Sequence, residues 1–210
     1  VPDLNNDHYS QIKRKLGTFP IVSIAPSNQP LFHTVTFDSY MGGKLAAKNL
    51  IASGYTVFGH IAGPLSKPEA NLRRAGFIDE IKKNNFDLKF EFEGDHSYES
   101  GRQAFKSLNI NSFKNLGIFS SNDQMAMGFL SSAIEQNKFL LKSWGIIGYD
   151  NTPSSKIFHP KLSSIDTDLD QLASLSLEKL TTLVQNPSKD ESITTTLIPV
   201  SAVMLSLIHI

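Results

Sequence analysis

The chain has 210 residues, with 20 Lys and Arg against 20 Asp and Glu, 40% hydrophobic residues and no cysteine. That length can support one large domain or two small lobes, and the apolar content excludes a disordered chain. Zero net charge argues against a self-sufficient nucleic-acid binder, which carries a basic face, and the missing cysteines exclude a disulfide framework, a thiol nucleophile and thiolate-held zinc.

The first residues, VPDLNNDHYSQIKRKL, lack the apolar segment of a signal peptide, and no apolar run reaches the ~20 residues of a membrane span. The expectation is a soluble, cytoplasmic protein. Ile21–Ile24 and Thr34–Phe37 read as strands, and GGKLAAKNLIA (42–52) has helical spacing ended by Gly54. Val57–Ala62 predicts a strand, 71–83 a helix, Leu88–Phe92 a strand and Tyr98–Leu108 a helix. Leu116–Ser120 and Gly145–Tyr149 predict strands around a helix at 124–136. Leu162–Ile165 is short and extended, Leu169–Val184 is a long amphipathic helix, and 194–204 is a closing extended stretch.

Strands alternating with crossover helices imply an α/β protein with parallel, doubly wound sheets, whose ligands sit beyond the carboxyl ends of the strands. The residues at those ends are Ala25, Asp38, Gly63, Asp95, Ser121-Asn122-Asp123 and Asp150-Asn151. Neither glycine-rich phosphate motif is present, nor a G-x-S-x-G elbow, nor H-E-x-x-H. The six histidines never pair at ligand spacing, so neither a metal nor a cofactor is expected.

What the strand ends supply is hydrogen bonding for a neutral polar ligand. Asn122 donates and accepts, Asp150 accepts from hydroxyls, Arg73 offers a rigid donor fork, and His96 can lay a ring against a ligand. Each has a plain structural alternative that the residues alone leave open. Asn122 or Asp123 can cap a helix, Asp150-Asn151 before Thr152-Pro153 can form a turn, Arg73 beside Arg74 can be a solvated charge, and His96 can be a loop residue. Tyr149 and Phe77 read as core.

Taken in order, FPIVSIA, VTFDSYMGGKLAAKNLIASGY, GHIAGPLSKPEANLRRAGF, EGDHSYESGRQAF, IFSSNDQMAMGFLSSAIEQN, WGIIGYDNTPSS and HPKLSSIDTDLDQLASLSLEKL resemble the effector-binding core of LacI/GalR transcriptional regulators. The resemblance runs from about Phe19 to Pro199 and rests above all on SNDQMAMG followed by IIGYDN. It implies a two-lobed, type I periplasmic-binding-protein-like fold. An N-terminal lobe of 1–37 plus 166–193 would be incomplete, lacking its first strand-helix-strand part. The effector-binding lobe would take 38–165 plus 194–204, and 205–210 would be an atypical tail.

By the same resemblance Arg73, Asn122 and Asp150 match the family's ligand contacts in the interlobe cleft, and His96 stands where an aromatic packs on the ligand. The implied partners are a small hydroxylated effector such as a sugar, a second copy in a homodimer, and operator DNA through a headpiece this chain does not contain. Three positions depart from the pattern: Ala25 in place of an aspartate, Leu169 in place of a ligand-facing aromatic, and Leu205 in place of an arginine. The rival readings are a sugar-binding transport receptor of the same fold, and an enzyme with Asp150 or Asp38 as general base.

Overall fold

A computed structural model describes residues 6–108, 113–136, 144–186 and 192–205. In chain order the elements are α1 (Asn6–Leu16), β1 (Val22–Ser23), β2 (His33–Phe37), α2 (Ser39–Ala52), β3 (Val57–Ala62), α3 (Pro68–Lys83), β4 (Leu88–Glu93) and α4 (Tyr98–Ser107). There follow β5 (Leu116–Ser120), α5 (Asp123–Glu135), β6 (Gly145–Asp150), α6 (Pro153–Ile157), β7 (Ser163–Asp166), α7 (Leu169–Gln185), β8 (Thr195–Ile198) and β9 (Ser201–Val203). They divide into two units: Val1–Phe37 with Asp168–Ile198, and Asp38–Thr167 with Pro199–Ile210.

The second unit is built on a six-stranded sheet of order β4-β3-β5-β6-β7-β9, parallel except for β9, which pairs antiparallel with β7. Its central strands are near-continuous apolar runs because both faces are covered. In β5 every residue is buried. Alternating side chains feed two cores. Phe58, Phe119, Ile147 and Tyr149 meet Ala46, Ala47 and Leu50 of α2 and Phe77 and Ile81 of α3. Ile61, Ile118 and Ile146 meet Phe105 of α4 and Met125, Phe129 and Leu130 of α5. The side-chain period of two in a strand therefore assigns each helix pair its own face.

The first unit has three parallel strands in the order β1-β2-β8, with α1 and α7. Leu183 and Ile193 join Phe19, Ile21 and Phe32 around a cavity of about 540 Å³. The cover is thin: no residue of α7 is fully buried, and three of the four residues of β8 are exposed.

Several expectations need correction. The closing stretch 194–204 does not belong wholly to the second lobe: β8 pairs with β2, and only from Pro199 does the chain return to pair β9 with β7. Proline has no N–H for a sheet ladder, so it breaks the stretch and lets its halves join different sheets. Asp166 and Thr167 stay with the second unit because β7 runs through Asp166. The Thr152-Pro153 turn opens the one-and-a-half-turn helix α6, where proline takes the first helical position. Of the tail 205–210, only Leu205 lies among the described residues, its amide donating to Ser163 Oγ.

Candidate functional site

The carboxyl ends of β3, β4, β5 and β6 meet the start of α3 and α5 in the second unit. Arg73 lies on α3, four residues before Phe77, so one helix face carries a core anchor and a cation. Its Nη1 donates to the Ser121 carbonyl at 2.6 Å, and its guanidinium carbon sits 3.6 Å from the centre of the Tyr149 ring. That cation–π contact fixes the fork against a fully buried aromatic. Arg74 turns away into a two-point ion pair with Glu91 at 2.6 and 2.8 Å. The adjacent arginines thus have separate duties, and Arg73 is not a solvated charge.

A pair of glycines in α2 makes this arrangement possible. A Cβ on Gly42 would come within 2.6 Å of the Tyr149 ring, and one on Gly43 would collide with the Arg73 carbonyl. The two helices therefore touch backbone to backbone at the level of the cation.

Asn122 caps α5. Its Oδ1 accepts from the Met125 amide and its Nδ2 donates to the His96 carbonyl, both at 2.9 Å. Capping is thus real, and the same side chain also ties the β4–α4 loop to the end of β5. His96 takes a left-handed backbone, φ 70°, and its ring packs against Gly63. Burial and the charge of Arg73 hold its pKa below the ordinary histidine value, so the ring is neutral at pH 7. Asp95 is held down to about 2 by hydrogen bonds from Ser97 and Ser100, which makes it a loop former. Asp38 caps α2 by accepting from the Met41 amide.

Asp150 is the unusual group. Its backbone has φ 101° and Asn151 follows at φ 48°; consecutive left-handed residues other than glycine are strained. Burial raises its carboxyl to about 6, partly offset by Arg73 and reinforced by Asp123. The carboxylate makes no hydrogen bond to a described residue. Around it the backbone is tightly held. The Asn151 amide donates to Ser164 Oγ at 2.9 Å, and Asn151 Nδ2 donates to Asp166 at 2.6 Å. Thr167 Oγ1 donates to the Asp150 carbonyl at 3.3 Å.

The fully buried carboxylate of Asp123 accepts from Ser164 Oγ at 2.7 Å, the Thr152 amide at 2.7 Å and Thr152 Oγ1 at 3.0 Å. The structure thus gathers Arg73, Asn122, His96 and Asp150 at one end of one sheet. Sequence reading missed the stacking duty of Tyr149; its place immediately before Asp150 on a strand shared with α3's face was the available signal. Ala25 and Leu169 lie in the first unit, both exposed. Among the described residues no group of three His, Asp or Glu side chains is placed to hold a metal, and no helix is long and apolar enough to cross a membrane.

The sequence profile of the periplasmic binding protein-like domain matches residues 47–203. The chain is 31% identical over 178 residues to the HTH-type transcriptional repressor PurR of Mannheimia succiniciproducens, covering 83% of this chain and 53% of that protein. Among solved structures it superposes with a TM-score of 0.83 and 28% identity on the lac repressor dimer bound to operator and the anti-inducer ONPF, covering 95% of this chain and 60% of that one. A LacI family transcriptional regulator from Enterococcus faecium with bound ribose gives 0.81 at 25% identity, over 94% of this chain and 73% of that one. The chain spans about half the length of the curated relatives it matches.

Proposed function

Because the chain belongs to the periplasmic binding protein-like domain family and carries a LacI-type effector-binding core, we propose that it is the effector-sensing part of a transcriptional repressor. The effector is a small hydroxylated molecule, a sugar by chemistry, held at the strand ends of the second unit by Arg73, Asn122, Asp150 and His96. The protein binds without turnover, acts in the cytoplasm as a homodimer, and engages operator DNA through a headpiece outside this chain. Effector and operator are linked by population shift: a ligand that prefers one arrangement of the protein biases the other site by its differential affinity.

The observation that carries this reading is the Asp150 carboxylate, half-buried at a strand end in the field of Arg73 and making no hydrogen bond to a described residue. A charged acceptor that has lost part of its water gains from a partner that replaces it. A hydroxylated ligand would do so while offering its own oxygens to the Arg73 fork, the pairing of acceptor and donor that vicinal hydroxyls need. Ribose is the first candidate because a relative has been solved with it bound.

Titration calorimetry with a panel of pentoses and hexoses, ribose included, tests this. At least one sugar should bind saturably. Arg73→Ala should weaken that binding about 10- to 100-fold, the loss of a hydrogen bond from a charged donor. Binding of no sugar, or unchanged binding by a folded Arg73→Ala variant, would overturn the reading.

A further inference from the structure

Both peptide N–H groups that follow Asp150 lead to one buried carboxylate. The Thr152 amide donates directly to Asp123 Oδ2. The Asn151 amide donates to Ser164 Oγ, whose own proton goes to Asp123 Oδ1. Thr152 Oγ1 is the third donor to the carboxylate and the second to Oδ2. Asp123 also lies hard against β6, since a Cβ on Gly148 would collide with its Oδ1. An ordinary helix-start aspartate needs none of this; the capping of α5 is already done by Asn122.

We infer that Asp123 is the positioning residue of the site: it touches no ligand but clamps residues 150–152 in the left-handed turn that sets the Asp150 carboxylate beside Arg73. An ionised carboxylate accepts all three donors across its two oxygens, whereas an asparagine has a single acceptor oxygen; burial raises the Asp123 carboxyl pKa, and the hydrogen bonds from Ser164 and Thr152 work against that rise. The clamp offsets the strain at φ 101° and 48°, as strained functional residues require of their surroundings. Its charge acts too. The charged groups facing Asp150 are Arg73 from α3, which favours its ionised form, and Asp123 from α5, which opposes it; on β7, Asp166 is engaged by Asn151. The inference rests on the effector reading for its functional meaning, though the clamp itself can be tested without ligand.

The test is an NMR titration of the Asp150 side-chain carboxyl carbon in the whole chain, joined to calorimetry with ribose. Asp123→Asn should lower the Asp150 midpoint from its value near 6, because it removes the opposing charge, and shift the amide signals of Asn151 and Thr152. A residue that merely stabilised α5 would change the melting temperature and leave that midpoint in place. Ser164→Ala keeps the Asp123 charge while cutting the relay to the Asn151 amide, and should weaken ribose binding about tenfold. If Asp123→Asn fails to fold, Ser164→Ala and Thr152→Val carry the test through the same amide signals. Folded variants that titrate and bind as the parent does would overturn the inference. A parent chain that binds no sugar, yet shows the titration shift on Asp123→Asn, would remove the effector reading and leave the clamp standing.

Discussion

At Asp150 binding and stability pull in opposite directions. Its folded pKa, about 6, lies above its ordinary value near 4. Between those two values the folded state holds more protons than the unfolded one, so folding stability falls as pH rises through the window. Above pH 6 the full cost of the buried charge is present, roughly 1–3 kcal/mol at about 1.4 kcal/mol per pH unit of displacement. Asp150→Asn should therefore be more stable than the parent at pH 7.5, and the advantage should shrink toward pH 4; urea unfolding at several pH values measures it. The same variant should lose effector affinity, and the parent should bind more weakly as pH falls through 6 and the acceptor is protonated. That Asn122 and Asp150 stand at strand ends was legible because residues just after parallel strands are few and the SNDQMAMG and IIGYDN segments are specific. Their physical state was not legible. Nothing in Tyr149 as a letter says that Arg73 stacks on it, and the left-handed backbone at Asp150 depends on donors from residues 152 and 164.

Among the elements, the α2–α3 contact decides where the cation stands. Gly43→Ala forces apart two backbones with no flexible side chain to yield, so it should cost about 1–3 kcal/mol as overpacking does and weaken effector binding as well, because the displaced carbonyl belongs to Arg73. Gly54→Ala supplies the contrast. Its φ is 86° with open space around the missing Cβ, so it should lose roughly 1 kcal/mol to backbone strain and leave binding intact. Chemical denaturation and calorimetry on the two variants separate the effects. Most element positions followed from period alone: β3, β5 and α7 fall where apolar spacing put them. Period could not divide TTTLIPVSAV between two sheets, since both halves alternate alike; only Pro199 marks the break, and partner strands are a tertiary fact. Nor could it show α6, whose five residues are too few to display a helical repeat.

For the whole molecule, the two units differ in how much they bury. The second has a helix pair and a largely apolar core on each face of its sheet. The first leaves Leu177 at 65% and Val184 at 60% exposed on α7, so few apolar contacts hold its backbone hydrogen bonds closed. Local opening free energy tracks such burial. Amide hydrogen exchange should accordingly run faster in β1, β2 and β8 than in β3, β5 and β6, by orders of magnitude if the units open independently; equal protection would mean they unfold as one cooperative block.

The antiparallel strand β9 has a consequence for how the protein is made. Translation delivers Arg73, Asn122, Asp123, Asp150 and Ser164 long before it delivers residues 201–203, so on the ribosome the effector residues exist while the edge of β7 is still bare. A bare strand edge is a template for pairing with another chain. Among the described residues the three-residue β9 covers β7 and leaves only a short antiparallel edge, so a message stopped just after Ile198 would yield a chain with every proposed ligand-binding group present and the edge of β7 exposed beside them. Such a product would be expected to self-associate, and its loss from the soluble pool would reflect an exposed β7 edge with an intact site.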